Sequence, residues 1–186
     1  MVLERSLRKN WNNPIMIGIA AYLKKMKGEA RKHSNIDYID SIISALGGLI
    51  AIITIGFVAV YSGYPMVLAP LGASCVLVFG AHKGPLSQPR PVIGGHLFST
   101  TSAIMIWSIL GNSLFTIGLV LAIVLIIMTI TKTVHPPAAA SAFVAVNSQA
   151  GWGLLISVVI CTVLLVLLST IFNNLFQTRQ YPKHWL

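Results

Sequence analysis

Residues 131–143 read TKTVHPPAAASAF, so a lysine, a histidine, two prolines and a run of small residues interrupt an otherwise apolar chain. A related stretch, residues 68–75, reads LAPLGASC. Proline is tolerated at the start of a helix, because the first N–H groups there have no intrahelical partner. We therefore interpret Pro70 and Pro137 as marking two helix starts. The small residues that follow leave backbone N–H groups uncovered, and a helix N-terminus of this kind binds anions.

The residues predicted to bind this anion follow the two prolines or are histidines near them: Gly72, Ala73, Ser74, His96, His135, Ala139, Ala140 and Ser141. Arg90 and Lys132 are predicted to attract the anion at the entrance, since arginine in particular suits planar oxyanions. Each prediction has an alternative. Small residues in membrane helices most often serve close packing, a lysine at the end of a span snorkels to the interface, and His135 is equally explained as a structural histidine.

The composition restricts the chemistry that these residues can perform. Only 9% of the 186 residues are charged, against about 25% in soluble domains, and the mean hydropathy is +0.80. All four acids precede Ser41, so no Asp or Glu follows Asp40. General acid–base and metal catalysis usually recruit these residues. We therefore expect a membrane protein that is not an enzyme, with no metal, no cofactor and no nucleic-acid partner.

The site lies within a series of six apolar segments, at residues 41–61, 65–80, 92–110, 114–131, 136–147 and 152–172. If all six cross the membrane from a cytoplasmic N-terminus, the connections 62–64, 111–113 and 148–151 face outward and contain no Lys or Arg. Making the two short segments re-entrant would instead put loop 81–91 and Lys132 outside. The positive-inside rule favours six crossings with both termini in the cytoplasm. Tyr181 and Trp185 are then predicted to mark the inner membrane boundary.

The chain also contains a weak internal repeat. Residues 70–79 read PLGASCVLVF and residues 137–146 read PAAASAFVAV, with Pro, Ala and Ser at the same offsets. Each stretch is the middle segment of a three-segment unit, so the second copy is upside down relative to the first. Broken middle helices in inverted repeats form the substrate sites of many transporters. The predicted fold is an all-α membrane protein with four full segments and two short ones broken after proline, arranged as two inverted three-segment repeats.

Residues 1–37 form a basic arm, because eight of the thirteen Lys and Arg precede Ser41. Asn13-Pro14 resembles a helix start, and residues 15–27 are predicted to lie as an amphipathic helix on anionic headgroups. A solvated basic tail is the alternative, whereas a secretory signal is disfavoured because no clear cleavage site follows. Residues 38–173 form the predicted transmembrane domain and 174–186 a cytoplasmic tail. The small apolar core is compatible with a homo-oligomer.

Three motifs in order resemble the HPP family of integral membrane proteins: LAPLGASCVLVFG (68–80), PLSQPRPVIGGHLFS (85–99) and HPPAAASAF (135–143). The family takes its name from the His-Pro-Pro motif, here residues 135–137, although it usually continues with glycine where this chain has Ala138 and Ala139. The resemblance covers about residues 38–173. Family descriptions commonly count four spans, and some plastid and cyanobacterial members are nitrite transporters.

The leading hypothesis is a channel or transporter for a small monovalent anion, with nitrite the specific candidate implied by the resemblance. The expected location is a bacterial inner membrane. Cation sites are generally built from carboxylates or rings of carbonyls, and the acid-free core excludes the carboxylate route. A membrane scaffold or assembly subunit that transports nothing is the alternative. Reconstituted anion flux discriminates between the two.

Overall fold

The computed structural model describes residues 18–26 and 37–185, and within these ranges every regular element is helical. A short helix, α1 (Ile19–Met26), belongs to an N-terminal unit that ends at Ile36. The predicted helix start at Asn13-Pro14 lies outside the described residues. The remaining helices form a second compact unit that begins at Asp37.

The six apolar segments form six helices: α2 (Tyr38–Tyr61), α3 (Leu68–Cys75), α4 (Pro89–Leu110), α5 (Leu114–Ile130), α6 (Pro136–Asn147) and α7 (Trp152–Asn173). Helices α2, α4 and α7 have 22 to 24 residues and are long and apolar enough to cross a membrane, which takes about 20 residues. Helix α5 has 17 residues, while α3 and α6 have 8 and 12. The prediction of an all-α protein with two short middle segments is therefore confirmed for the described part of the chain.

Local residues explain where the long helices begin. The side chain of Asp37 accepts a hydrogen bond from the backbone N–H of Asp40 at the start of α2, and Ser113 caps α5 in the same way. Such caps satisfy N–H groups that have no partner within the helix. Helix α4 begins with Pro89, whose missing N–H would have been unpaired at that position anyway.

The start of α3 differs from the prediction. A 3₁₀ turn over Pro65–Val67 leads directly into α3, so that Pro70 is the third residue of the helix rather than its beginning. Gly63, with φ of 80°, closes the end of α2 and leaves Pro65 in the position that begins the next helix. The interpretation of Pro70 as a helix start is therefore wrong. Pro70 is tolerated because it lies in the first turn of α3.

Helix α4 is central to the bundle and packs against α5, α6 and α7, while α6 also contacts α3 and α5. The buried face of α6 carries Ala138, Ala142 and Ala145, which are spaced by about one helical turn. Without a large hydrophobic driving force inside a membrane, close approach of small residues stabilises helix pairs. The packing explanation therefore accounts for these three alanines.

The C-terminal residues cover the loop between α3 and α4. The buried Tyr181 hydroxyl donates to the carbonyl of Ser87 at 2.9 Å, and the backbone N–H of Lys183 donates to the Gln88 side chain at 2.8 Å. The interpretation of Tyr181 as an aromatic at the membrane boundary is wrong, because its ring lies inside this contact. Trp185 remains more than half exposed.

Candidate functional site

Four polar side chains from three helices and one helix cap meet in what we call the Ser–His cluster: Ser74, His96, His135 and Ser141. The hydroxyl oxygen of Ser74 is 2.9 Å from Nε2 of His96 and 2.8 Å from Nε2 of His135. Nδ1 of His96 is 2.8 Å from the hydroxyl of Ser141. All four residues are at most 1% exposed. Half of the eight predicted site residues are therefore brought together by the fold.

The His-Pro-Pro motif begins α6, as predicted. His135 is the N-cap residue with extended backbone angles (φ −140°, ψ 101°), and Pro136 and Pro137 occupy the first helical positions. Neither proline has an N–H, and the N–H of Ala138 donates to the carbonyl of His135 at 2.9 Å. The helix start therefore orients His135 and offers few free backbone donors. The other nitrogen of its ring, Nδ1, is 2.8 Å from the carbonyl of Leu86.

Gly95 allows α4 to approach this helix start closely. A Cβ added at Gly95 would lie 2.9 Å from the backbone oxygen of Thr133, 2.9 Å from Cβ of His135 and 3.3 Å from Cβ of Ala138. No side chain fits between these backbones without displacing one of them. The close approach places His96, which follows Gly95, against the start of α6.

The other four predicted binding residues lie away from the cluster. Gly72 is half-buried and faces α2, where an added Cβ would contact Ile52, while Ala73 is exposed. Ala139 is half-buried and Ala140 is exposed. A helix turns about 100° per residue, so neighbours of Ser74 and Ser141 point to other faces. The structure therefore does not bring Gly72, Ala73, Ala139 and Ala140 to the Ser–His cluster.

The two residues predicted at the entrance lie at the C-terminal end of α5. The Arg90 guanidinium donates to the carbonyl of Thr131 at 2.9 Å, and Lys132 occupies the left-handed position (φ 56°) that follows the helix. Both cations complement the partial negative charge of this helix end. Arg90 also lines a groove of about 550 Å³ together with Gly94, Thr133 and Trp185. The backbone oxygen of Thr133 also lies beside Gly95, which precedes His96.

A second polar centre joins the C-terminal residues to the bundle. Arg179 is buried and its Nε donates to the carboxylate of Asp40 at 2.8 Å. The same guanidinium donates to the carbonyl of Phe79 at 3.2 Å and to the side chain of Asn173 at 2.9 Å. It thereby satisfies polar groups at the ends of three helical segments. The sequence analysis did not select Arg179; the signal that could have found it is Asp40, the last acid of the chain, which needs a cation as its partner.

His82 lies in the loop that follows the π-helical segment Val76–Gly80, which continues α3. It is buried without a hydrogen-bond partner for either ring nitrogen within the described part of the protein. Burial lowers the pKa of His82, and the nearby positive charge of Arg179 lowers it further. His82 is therefore neutral at physiological pH. It lies outside the Ser–His cluster.

The chemistry available in the Ser–His cluster is that of neutral donors and acceptors. Each hydroxyl donates one hydrogen bond, and each imidazole donates one and accepts one when neutral. Among the described residues, no three His, Cys, Asp or Glu side chains are grouped in a way that could hold a metal ion. A site of this kind can hydrogen-bond a small polar species or take up a proton on an imidazole.

The helices and the cluster define an integral membrane protein with a buried polar site that contains no acidic side chain. Residues 33–182 match the family described as HPP, transmembrane region. The chain belongs to this family, and its His-Pro-Pro motif is the one that begins α6.

Two curated relatives are transmembrane proteins of Dictyostelium discoideum. The first is 32% identical in an alignment that covers 88% of this chain and 57% of the relative. The second is 27% identical, with 92% of this chain and 65% of the relative covered. This chain thus spans about three-fifths of the length of the relatives that it matches. No solved structure matches it significantly.

Proposed function

We propose that the protein is a channel or transporter for a small monovalent anion and that the anion binds at the Ser–His cluster. The observation that carries the proposal is the convergence of two hydroxyls and two imidazoles, each at most 1% exposed, in a membrane domain without an acid after Asp40. Buried polar side chains are costly in a membrane and are commonly functional there. Hydroxyl and imidazole N–H groups are donors, and no carboxylate competes with an anion for them.

The start of α6 supports this choice of substrate. The partial positive charge of a helix N-terminus favours an anion by about 0.3–1 kcal/mol when exposed and up to ~2 kcal/mol when partly buried. Because Pro136 and Pro137 carry no N–H, the directional contacts with the anion come from Ser74, His96 and Ser141, whose hydrogen bonds to one another open when the anion binds. Neutral donors bind a monovalent anion weakly enough for it to leave, as transport requires. Nitrite is the specific candidate because of the resemblance to family members that transport it.

We further propose that the six helices cross the membrane as two inverted three-helix units with both termini in the cytoplasm. The first helix of each unit ends in the same way: a left-handed residue, Gly63 (φ 80°) or Lys132 (φ 56°), follows the last turn. A short helix comes next in each unit: Pro65 begins the 3₁₀ turn that leads into α3, and Pro136 begins α6. These shared features support an internal repeat, and the charge distribution supports the orientation.

The competing explanation is a membrane scaffold in which the cluster only holds α3, α4 and α6 together. The scaffold explanation is supported by the hydrogen bonds of the two imidazoles. Every ring nitrogen of His96 and His135 has a partner within the protein, so the cluster needs no ligand to satisfy its polar groups. A fully satisfied polar network stabilises a particular packing. The two explanations differ in whether the purified protein conducts anions.

The test is nitrite and chloride flux into liposomes at low and high salt for matched variants. Ser141→Ala removes one donor of the cluster and should lower flux on the order of tenfold at both salt levels, the effect of losing one hydrogen bond to a charged group. Ser157→Ala is the control, because Ser157 is also a buried serine but pairs with Ser62 in another part of the bundle.

A second variant tests the entrance. Lys132→Gln should lower flux mainly at low salt, because ions screen an exposed charge beyond about 10 Å at roughly 0.1 M. Glutamine is suitable there, since Gln149 already adopts the same left-handed conformation after α6. Absence of anion flux in the folded wild-type protein would refute the proposal and favour the scaffold.

A further inference from the structure

The carbonyl of Leu86 fixes the direction of each hydrogen bond in the neutral Ser–His cluster. A carbonyl only accepts, so Nδ1 of His135 must carry the hydrogen in their 2.8 Å contact. Nε2 of a neutral His135 is then an acceptor, and Ser74 must donate to it. The oxygen of Ser74 consequently accepts from Nε2 of His96, which leaves Nδ1 of His96 to accept from Ser141.

Ser74 has a second acceptor within reach, the carbonyl of Pro70 at 3.1 Å. If His135 gains a proton on Nε2, the Ser74 hydroxyl can turn to Pro70 while its oxygen accepts from both His135 and His96. A hydroxyl oxygen donates one hydrogen bond and accepts two, so this arrangement uses its full capacity. The protonated cluster therefore needs no movement of any atom other than hydrogen.

The charge of a protonated His135 has no counter-ion in the surrounding helices. The titratable and charged groups on the neighbouring elements are Cys75 on α3, His82 and Lys83 in the loop before α4, Arg90 and His96 on α4, and Lys132 before its own segment. Cys161 on α7 and the C-terminal Tyr181, Lys183 and His184, of which Tyr181 and Lys183 contact the loop of Leu86, complete this set. Helices α5 and α6 carry no such group. None of the neighbours is an acid, and Asp40 is paired with Arg179. A buried cation is strongly disfavoured unless it is paired.

We propose that His135 takes up one proton when the anion binds, so that the protein carries one proton with each anion. The inference rests on the proposed anion transport and adds that the transport of each anion is coupled to the transport of one proton. The proton adds to the Nε2 lone pair of His135, the Ser74 hydroxyl turns to Pro70, and the bound anion balances the imidazolium. Because binding free energies are reciprocal, the proton raises the affinity for the anion and the anion raises the affinity for the proton. The loaded site is neutral, and its passage moves no net charge.

The experiment follows proton movement and anion uptake together in liposomes that contain the protein and an entrapped pH dye. Sodium nitrite is added outside at about pH 7 on both sides, near the range in which histidine titrates. Protein-free liposomes give the background from the permeant conjugate acid. A potassium gradient with valinomycin sets the membrane potential in a parallel arm.

The expected result is internal acidification that matches nitrite uptake and does not change with the imposed potential. In the same vesicles, a transmembrane pH difference should drive nitrite accumulation towards about tenfold per pH unit, because coupling equates the two gradients. Diffusion of the conjugate acid approaches the same limit, so the protein should raise the initial rate of accumulation above the background. Nitrite uptake that follows the potential without proton movement would overturn the coupling and leave the proposed transport intact. Absence of protein-dependent flux of nitrite and chloride would overturn both proposals.

Two variants test the assigned atoms. His135→Gln should reduce protein-dependent acidification to the background, whereas His82→Gln, at another buried histidine, should not. Ser74→Ala removes the oxygen that accepts from the protonated ring, so the pH of half-maximal uptake should fall by about one unit, the effect of one lost hydrogen bond to a charged group. A purely structural role of Ser74 would lower the amount of folded protein without moving this pH profile. An unmoved profile in folded Ser74→Ala, or acidification retained in His135→Gln, would refute the assignment.

Discussion

Gly95→Ala offers a sharp test of how α4 and α6 build the site, because it adds one methyl group and changes no polar atom. The new Cβ would lie 2.9 Å from the backbone oxygen of Thr133, about 0.5 Å short of ordinary van der Waals contact, which begins at 3.4 Å. Backbone cannot rotate away as a side chain can, so the two helices must separate. Overpacking of this kind costs about 1–3 kcal/mol.

Gly118→Ala is the matched control, since nothing lies within 4 Å of its added Cβ in α5. Both variants gain about 1 kcal/mol of helix propensity, so their difference isolates the packing cost. For a protein of this size, 1 kcal/mol shifts the melting temperature by about 2–4 °C. A cost near 2 kcal/mol therefore predicts that Gly95→Ala melts roughly 4–8 °C below Gly118→Ala.

The same substitution should affect transport. A displacement of about 0.5 Å would stretch the 2.8 Å contact between His96 and Ser141 to the limit of a normal hydrogen bond, about 3.2 Å. Anion flux per folded protein should fall in Gly95→Ala and remain unchanged in Gly118→Ala. Equal melting temperatures and equal flux in the two variants would refute the reasoning.

Three further predictions concern the polar centre around Arg179, the contact of Tyr181 and the topology. Asp40→Asn leaves the buried Arg179 guanidinium without its counter-ion. Because the Asp40 side chain is 37% exposed, water screens the pair, and the free energy of unfolding should fall by about 1.5–3 kcal/mol in thermal melting. A loss below about 1 kcal/mol would mean a pair no stronger than one on the surface. Tyr181→Phe should cost about 1 kcal/mol at neutral pH through the lost bond to Ser87. Burial raises the pKa of Tyr181 to about 12, above its unfolded value of about 10. The stabilisation is therefore present below pH 10 and lost as the pH approaches 12, where the stability of the wild-type protein should fall towards that of the variant. Parallel pH profiles of the two proteins would contradict this prediction. In Asn112→Cys, an impermeant thiol reagent should react from outside the cell, and labelling from the cytoplasmic side alone would exclude the six-crossing topology.

The sequence determined the number and the approximate limits of the helical segments. The predicted segments 41–61 and 92–110 correspond to α2 (Tyr38–Tyr61) and α4 (Pro89–Leu110) within three residues. In a membrane each backbone polar group of a helix must be satisfied within its own segment. The position and limits of each helix are therefore determined by its own apolar residues and by the residues that end it. The start of α6 at the His-Pro-Pro motif is likewise determined by residues that are adjacent in the sequence. Ser74 and Ser141 could be selected because they have the same offset after Pro70 and Pro137, and the two histidines because they lie near these stretches.

The tertiary structure alone decided which of these residues meet. Ser74 and His135 are separated by 61 positions, and Asp40 and Arg179 by 139, yet each pair is in contact at 2.8 Å. The rotation of each helix about its axis decides which side chains face inward, and contacts between helices set that rotation. Ala73 therefore points outward although it precedes Ser74. The sequence predicted an anion site of eight residues, and the packing of α3, α4 and α6 brings four of them together.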